Sequence, residues 1–320
     1  MSEITLHDLV QADDYERIKN YYQSTRCLLD SDGFTASMLA AHLNRMNCLR
    51  AIRGCELQDK SDIKEFRRQH AKSKETALIM AVKQRNEESA KVLISECGMI
   101  DQYGFTALAY ALMGKHDSLV KLLAPAERLC NIQGLTVLQF TVFSGLPKYF
   151  SMFKDQLGQF SVPTANSFKF ENTALMIASL SARTDFMMLL EEEAGLQDCD
   201  GVTALMRVIG VIYKLNQDQH KRESRIMDEP YVTKNVDDLI KAAELLIKYQ
   251  KELGKQDKNG VSALMRASMC RLQCDSFYEV LVQAESELKD DNGRTYLDYQ
   301  SGHLFENDLD KKKDEEGKLE

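Results

Sequence analysis

Asp101-Gln102-Tyr103-Gly104-Phe105-Thr106-Ala107-Leu108 is the stretch from which the rest of this chain can be read. Its core phrase returns as Gly33-Phe34-Thr35-Ala36, Gly134-Leu135-Thr136-Val137-Leu138 and Gly201-Val202-Thr203-Ala204-Leu205. It returns again as Gly260-Val261-Ser262-Ala263-Leu264 and Gly293-Arg294-Thr295-Tyr296-Leu297. Two copies lack the glycine, Glu75-Thr76-Ala77-Leu78 and Asn172-Thr173-Ala174-Leu175. Indexed on the Thr or Ser, the copies stand at 35, 76, 106, 136, 173, 203, 262 and 295, with steps of 41, 30, 30, 37, 30, 59 and 33. A unit of 30 to 33 residues with three insertions accounts for these steps. Fixed-period self-similarity of this kind marks a repeat architecture.

Each unit has a physical reading. An Asp or Asn stands at or next to the third position before the Gly, as at Asp30, Asp101, Asn131, Asp198, Asp257 and Asp290. Asp with a nearby Gly makes a tight turn, because Gly supplies the positive φ. The Thr or Ser hydroxyl can then accept an N–H at a helix start. Ala-Leu-Met opens a short helix with a small face, and a second helix follows, ending in pairs such as Leu122-Leu123, Leu189-Leu190 and Leu245-Leu246. A helix pair this short cannot bury its own apolar face. Stacked neighbours bury it for one another, which predicts a mainly α solenoid.

Over about residues 30 to 300 the unit resembles the ankyrin repeat, a turn, a Thr-x-Leu helix, a second helix and a hairpin-like finger. The Ala-Leu-Met variant and Glu193-Ala194-Gly195-Leu196-Gln197-Asp198 are similar to a large ankyrin family of diplomonad protists. The general family pattern is Thr-Pro-Leu-His. Here Ala or Val replaces the Pro in nearly every copy, in a chain with only four prolines, and Met176, Met206, Met265, Ala109 or Gln139 replaces the His. The resemblance implies that the side-chain hydrogen bonds ordering the fingers are lost and the array is less rigid.

The ends and insertions are expected as follows. Residues 1–29 form an N-terminal helical cap, with Leu6, Leu9, Val10, Tyr15, Ile18 and Tyr22 as its apolar positions. Residues 30–301 form one array of about seven repeats plus a partial C-terminal repeat, with insertions near 61–73, 160–170 and 213–236. Residues 302–320 form a charged tail. At about 150 residues per domain the 320 residues would make two globules. The unbroken phase of the repeat makes the length count repeats instead.

Composition excludes several functions. Forty-one Lys and Arg against 49 Asp and Glu give a net charge of -8, which argues against a basic nucleic-acid-binding surface. No apolar run is long enough for a membrane span. The first residues have neither a basic region nor an apolar core, so no signal peptide is read, and the eight scattered cysteines without a CxxC read as reduced thiols in the cytoplasm. There is no GxGxxG, P-loop, HExxH or GxSxG, and the six histidines are dispersed. Asp30-Ser31-Asp32-Gly33 and Asp198-Cys199-Asp200-Gly201 resemble EF-hand fragments but lack its later ligands and keep the repeat's phase, so they are turns. Cys270 and Cys274, spaced i and i+4, have no further Cys or His to complete a metal site. No catalytic residue, cofactor, metal or small-molecule substrate is expected.

Surface binding remains. The resemblance implies contacts along a concave face made by finger tips and the outward side of each first helix. Carried over by motif position, the residue between Gly and Thr points outward, in the row Phe34, Glu75, Phe105, Leu135, Asn172, Val202, Val261 and Arg294. Tyr103 neighbours it at a finger tip, and Met113, Phe143 and Met269 fall at outward positions of the first helix. An exposed apolar row marks an interaction site, whereas adjacent fingers could equally bury it. The expected partner-binding set is Phe34, Tyr103, Phe105, Met113, Leu135, Phe143, Val202 and Val261. The function expected is a non-catalytic scaffold or adaptor for a protein partner. The alternative is a regulatory or inhibitory subunit of an enzyme such as a protein kinase. The chain itself has no kinase Gly-rich loop, His-Arg-Asp or Asp-Phe-Gly.

Overall fold

The computed structural model describes residues 4–20, 29–56, 73–163, 171–217, 232–270 and 276–301. They fall into two compact units, residues 1–133 and 134–320. The boundary lies inside a finger, between Gln133 and Gly134, where the spacing of the repeat is unbroken.

The first unit is four helix pairs. They are α1 (Leu6–Gln11) with α2 (Tyr15–Asn20), α3 (Ala36–His42) with α4 (Met46–Glu56), α5 (Ala77–Lys83) with α6 (Glu87–Val92), and α7 (Ala107–Met113) with α8 (Asp117–Glu127). The second unit begins with α9 (Val137–Phe143) and a 3-10 stretch over Pro147–Gln156. It continues with α10 (Ala174–Leu180) and α11 (Thr184–Leu189), α12 (Ala204–Gln217) and α13 (Val236–Ile247), then α14 (Ala263–Met269) and α15 (Ser276–Glu285). It closes on α16 (Tyr296–Ser301). Within each unit first helices pack on first helices, α1–α3–α5–α7 and α9–α10–α12–α14–α16. Second helices follow the same order, α2–α4–α6–α8 and α11–α13–α15. Among the described residues no helix is long and apolar enough to cross a membrane, and an isolated β-bridge joins Gln256 to Ser262.

The caps are where the repeat phrase places them. Thr35, Thr76, Thr106, Thr136, Thr173 and Ser262 each accept the N–H three residues on. Thr203 accepts from Met206 N–H at 3.4 Å. A cap of this kind contributes about 0.5–2 kcal/mol. A seven-residue helix is too short to persist alone, so burial has to hold it. Ala77 to Val82 and Ala174 to Leu180 are buried throughout, and Ala40, Ala41, Ala81, Ala178 and Ala267 are fully inaccessible. Small side chains at these positions let successive first helices approach closely.

The turn from first to second helix repeats as well. One residue there takes a positive φ: Asp13, Asn44, Arg85, Lys115, Gly145 and Ala182, between +52° and +68°. Only Gly145 is the type for which this conformation is free of strain. Its missing Cβ also makes room for the Arg183 guanidinium, which donates to Phe143 O at 3.1 Å.

The expected cap at residues 1–29 has the geometry of a repeat in its described part. Thr5 stands 30 residues before Thr35 and caps α1 with a reciprocal bond from Asp8, and Asp13 makes the positive-φ turn. The absence of Gly and of Ala-Leu around Thr5 hides this copy in the sequence.

The insertions divide differently. Residues 57–72, with the basic patch at Lys64 to His70, lie outside the described residues, as do 164–170, 218–231 and the tail from 302. At the second insertion, Ser161 N–H donates to Asn172 O at 2.8 Å and Asn172 N–H to Ser161 Oγ at 2.9 Å, so the ends of the excursion are tied together. At the third, α12 runs on to Gln217, twice the length of the other first helices. The return is fixed by Thr233 N–H on Leu180 O at 2.9 Å.

Candidate interaction face

The fingers are built from one side chain outward. In five of the six glycine-containing turns an Asp carboxylate accepts two backbone N–H groups through Oδ1; the turn at Gly134 has Asn131 in place of the Asp. Asp101 takes Tyr103 and Phe105 at 2.8 and 3.0 Å, and Asp257 takes Asn259 and Val261 at 2.9 and 3.0 Å. Asp30, Asp198 and Asp290 do the same. The other oxygen reaches the first helix nine residues on. Tyr110 Oη donates to Asp101 at 2.6 Å and Tyr299 Oη to Asp290 at 2.8 Å, while Arg207 and Arg266 pair with Asp198 and Asp257. The turn is thereby locked to the helix it introduces.

Neighbouring fingers are joined by backbone bonds. Gln102 N–H donates to Ser73 O at 3.0 Å, Lys258 N–H to Asp200 O at 2.9 Å and Asp291 N–H to Asn259 O at 3.1 Å. Glutamine side chains add to them. Gln197 Nε2 donates to Gly201 O and to Gln256 O, at 2.6 and 2.8 Å, and Gln256 Nε2 to Lys289 O at 2.8 Å. At the position of the family's His, Gln139 is 1% exposed and donates to Gln159 O and Asn172 O at 2.7 and 2.9 Å. The finger bonds expected to be lost with His are therefore supplied, at Gln139 in place and elsewhere by Gln197 and Gln256.

A second recurring group was not read from the sequence. Six of the second helices or 3-10 stretches end on a buried Glu or Gln: Glu96, Glu127, Gln156, Glu193, Glu252 and Glu285. One side-chain oxygen accepts the N–H of the Leu at the start of its own first helix. The distances are 3.0 Å for Leu78, 2.6 Å for Leu108, 2.8 Å for Leu138, 2.7 Å for Leu175, 3.0 Å for Leu205 and 2.8 Å for Leu264. In four of them the other oxygen accepts a glycine N–H from the preceding repeat, at Gly98, Gly158, Gly195 and Gly254. Glu96 instead meets Arg53 of the preceding repeat at 3.2 Å. Burial pushes the carboxyls of Glu127, Glu193, Glu252 and Glu285 above the usual glutamate range, against the opposing pull of these hydrogen bonds.

The predicted contact residues separate by exposure. Tyr103 is 58% exposed and Met113 42%. Phe105 is half-buried with its ring edge-on to Tyr110 at 5.8 Å, and Phe34 is half-buried with its ring 5.7 Å from His42. Phe143 is half-buried 6.3 Å from the Phe140 ring. Val202 and Val261 are half-buried on fingers joined through Lys258 and Asp200. Leu135 is a correction: it is 1% exposed, and Ile132 beside it is inaccessible, so this finger turns its apolar side chains into the core. Asn172 in the same row is also inaccessible.

Tyr103, Phe105 and Met113 thus belong to one repeat, with the Phe105 ring against Tyr110 and Met113 at the end of the same first helix. The Lys83 ammonium of the preceding first helix lies 4.1 Å from the centre of the Tyr110 ring and 2.6 Å from Glu75. Partial burial and the hydrogen bond to Asp101 raise the Tyr110 hydroxyl well above its ordinary value. Burial likewise pushes the thiols of Cys48, Cys97 and Cys270 up to about 12. No activated thiolate is produced at these three positions. Among the described residues no three His, Cys, Asp or Glu side chains are grouped to hold a metal ion.

A family model for ankyrin repeats matches in three copies, at residues 55–134. Among solved structures, the crystal structure of the ankyrin repeat domain of Bcl-3, described as a unique member of the IkappaB protein family, is similar at a TM-score of 0.50 and 20% identity. The match covers 70% of this chain and 92% of that one. No curated protein matches this sequence. The stacked helix pairs and these two likenesses define an ankyrin-repeat solenoid. Repeats of this class are in general protein-interaction modules and are typically non-catalytic.

Proposed function

We propose that this chain is a non-catalytic scaffold or adaptor that holds a protein partner on the concave face formed by its fingers and first helices. The observation that carries this reading is the exposure of Tyr103 and Met113, 58% and 42%, in a repeat whose first helix buries Ala107, Leu108, Ala109, Ala111 and Leu112. Large apolar side chains held on a rigid scaffold are the usual anchors of an interface. The reading needs no cofactor and no small-molecule substrate. A cytoplasmic location is part of this reading, and the free cysteines Cys48, Cys97, Cys130, Cys199 and Cys270 support it. The short Glu193-to-Asp198 finger supports a place in the diplomonad type of ankyrin family.

The test is capture from native lysate with the wild-type chain and with Tyr103→Ala/Met113→Ala, followed by mass spectrometry. The double variant should keep its helical circular dichroism and lose the partner. Undiminished capture by a folded double variant would remove this face from the function. Recovery of several structural proteins supports a scaffold. One enzyme in stoichiometric yield supports a regulatory subunit instead.

A further inference from the structure

We propose that Asn292, in the last finger, is a site of self-modification. Its side-chain amide is displaced by the backbone nitrogen of Gly293, and the residue becomes aspartate or isoaspartate. The site stands whether or not the chain binds a partner.

Six fingers carry the turn glycine, and two of them place Asn before it, Asn259-Gly260 and Asn292-Gly293. This attack is least hindered when the following residue is glycine, which has no Cβ to obstruct the approach of its nitrogen. The two turns are built alike. Asn259 N–H donates to Asp257 and Asn292 N–H to Asp290, each at 2.9 Å. Gly260 N–H and Gly293 N–H donate to the carbonyls of the same two Asp residues at 2.9 and 2.8 Å, and the glycines share a φ of +75° and +77°. The turns themselves give neither site an advantage.

What lies over them differs. Asn259 O accepts the N–H of Asp291 at 3.1 Å, and Gly260 is buried. A Cβ on Gly260 would stand 2.8 Å from Asp290 Cα and from Asp291 N, so the last finger is packed against this peptide. Asn292 and Gly293 are both exposed, and a Cβ on Gly293 would meet nothing within 4 Å. The attack requires the peptide to rotate and a base from solvent to take the glycine amide proton. The open finger permits both at Gly293, and the overlying finger opposes both at Gly260.

The step needs no reagent but water. A bond forms between Gly293 N and Asn292 Cγ, the Cγ–Nδ2 bond breaks, and the glycine amide proton leaves on ammonia. Water then opens the cyclic imide at one or other carbonyl, giving α-linked aspartate or β-linked isoaspartate. Either product adds a negative charge beside Asp291. The isoaspartyl product also puts an extra carbon into the main chain between Asp290 and Arg294. The Asp290 carboxylate bridges this span by accepting Asn292 N–H and Arg294 N–H at 2.9 and 2.8 Å.

Ageing of the full chain in neutral and in mildly alkaline buffer tests the site. Peptide mapping by mass spectrometry follows each Asn, and an isoaspartyl methyltransferase with labelled S-adenosylmethionine detects the isoaspartate. In the native chain Asn292 should convert about tenfold or more faster than Asn259, and faster at the higher pH. In urea, where no finger covers either site, the two rates should agree within about threefold. Asn292→Gln should keep its helical circular dichroism and lose the isoaspartate that forms first. No conversion at Asn292, equal native rates, or faster conversion at Asn259 would overturn the proposal. A ratio as large in urea as in the native chain would also overturn it, because the flanking residues and not the stacked fingers would then set the difference.

Discussion

Glu252 and Gly195 join two successive repeats through one hydrogen bond, Gly195 N–H to Glu252 Oε1 at 2.7 Å. The second oxygen of the same carboxylate holds Leu205 N–H at 3.0 Å. One side chain thus satisfies a finger of the repeat before and the start of the helix in its own. Leu205 N–H lies where water cannot replace the acceptor, and Gly195 N–H is half-buried. A buried donor left without a partner costs about 1–3 kcal/mol. Glu252→Ala should therefore lower stability by about 2–5 kcal/mol, measured as the loss in urea-unfolding free energy. Glu193→Ala should behave alike, because Gly158 and Leu175 depend on it in the same way. A loss under about 0.5 kcal/mol at both sites would remove the carboxylates from the joints.

The same residues impose a pH dependence of unusual sign. Paired surface carboxylates stabilise a fold by having a lowered pKa. Here burial raises the carboxyls of Glu127, Glu193, Glu252 and Glu285 above the ordinary 4.5. Between 4.5 and the raised native value the folded state binds more protons than the unfolded one. Their contribution is fully present below 4.5 and is lost as pH rises through the raised native value. The urea midpoint should accordingly fall as pH rises above 4.5 and through the raised native value. Glu252→Gln, which places there the residue that Gln156 supplies naturally, should flatten that slope while lowering the midpoint at acid pH. A midpoint that rises over this range would contradict the cause assigned to the shift.

Leu135 tests the boundary between contact surface and core. Its side chain is 1% exposed, so Leu135→Ala should cost about 2–5 kcal/mol of stability, as a buried leucine does. Tyr103→Ala, at an exposed finger tip, should cost less than about 0.5 kcal/mol. Thermal unfolding of the two variants side by side reads the difference. Equal losses would contradict the difference in burial between Leu135 and Tyr103.

Ala182 reports on backbone strain at the inter-helix turn. It holds a φ of +52° where the preceding repeat has Gly145 at +68°. An L-residue pays about 1–2 kcal/mol in this conformation, and glycine loses about 0.5–1 kcal/mol of chain entropy in exchange. Ala182→Gly should therefore be neutral or stabilising by up to about 1 kcal/mol, with a matching rise in Tm. A fall in Tm would show that the methyl group packs to more advantage than the turn loses.

The sequence by itself determined the repeat and its local chemistry. The Thr caps, the Asp turns and the positive-φ glycines depend on groups at most a few residues apart, so spacing alone places them. Asp257 reaches Asn259 and Val261 in any chain that turns there. The first pair, capped by Thr5, reads in the sequence as a helical cap and not as a copy of the repeat, because its surroundings lack both the glycine and the Ala-Leu that flag the other copies. Only the tertiary structure decided which side chains face outward and what joins the repeats. Glu193 is one of three consecutive glutamates in the sequence, yet it alone of them is buried, because its partners Gly158 and Leu175 come from segments distant along the chain. Leu135 and Phe105 occupy the same place in the motif. One is core and the other half-exposed, since the packing around each finger, which the repeat phrase does not encode, sets the depth of the side chain.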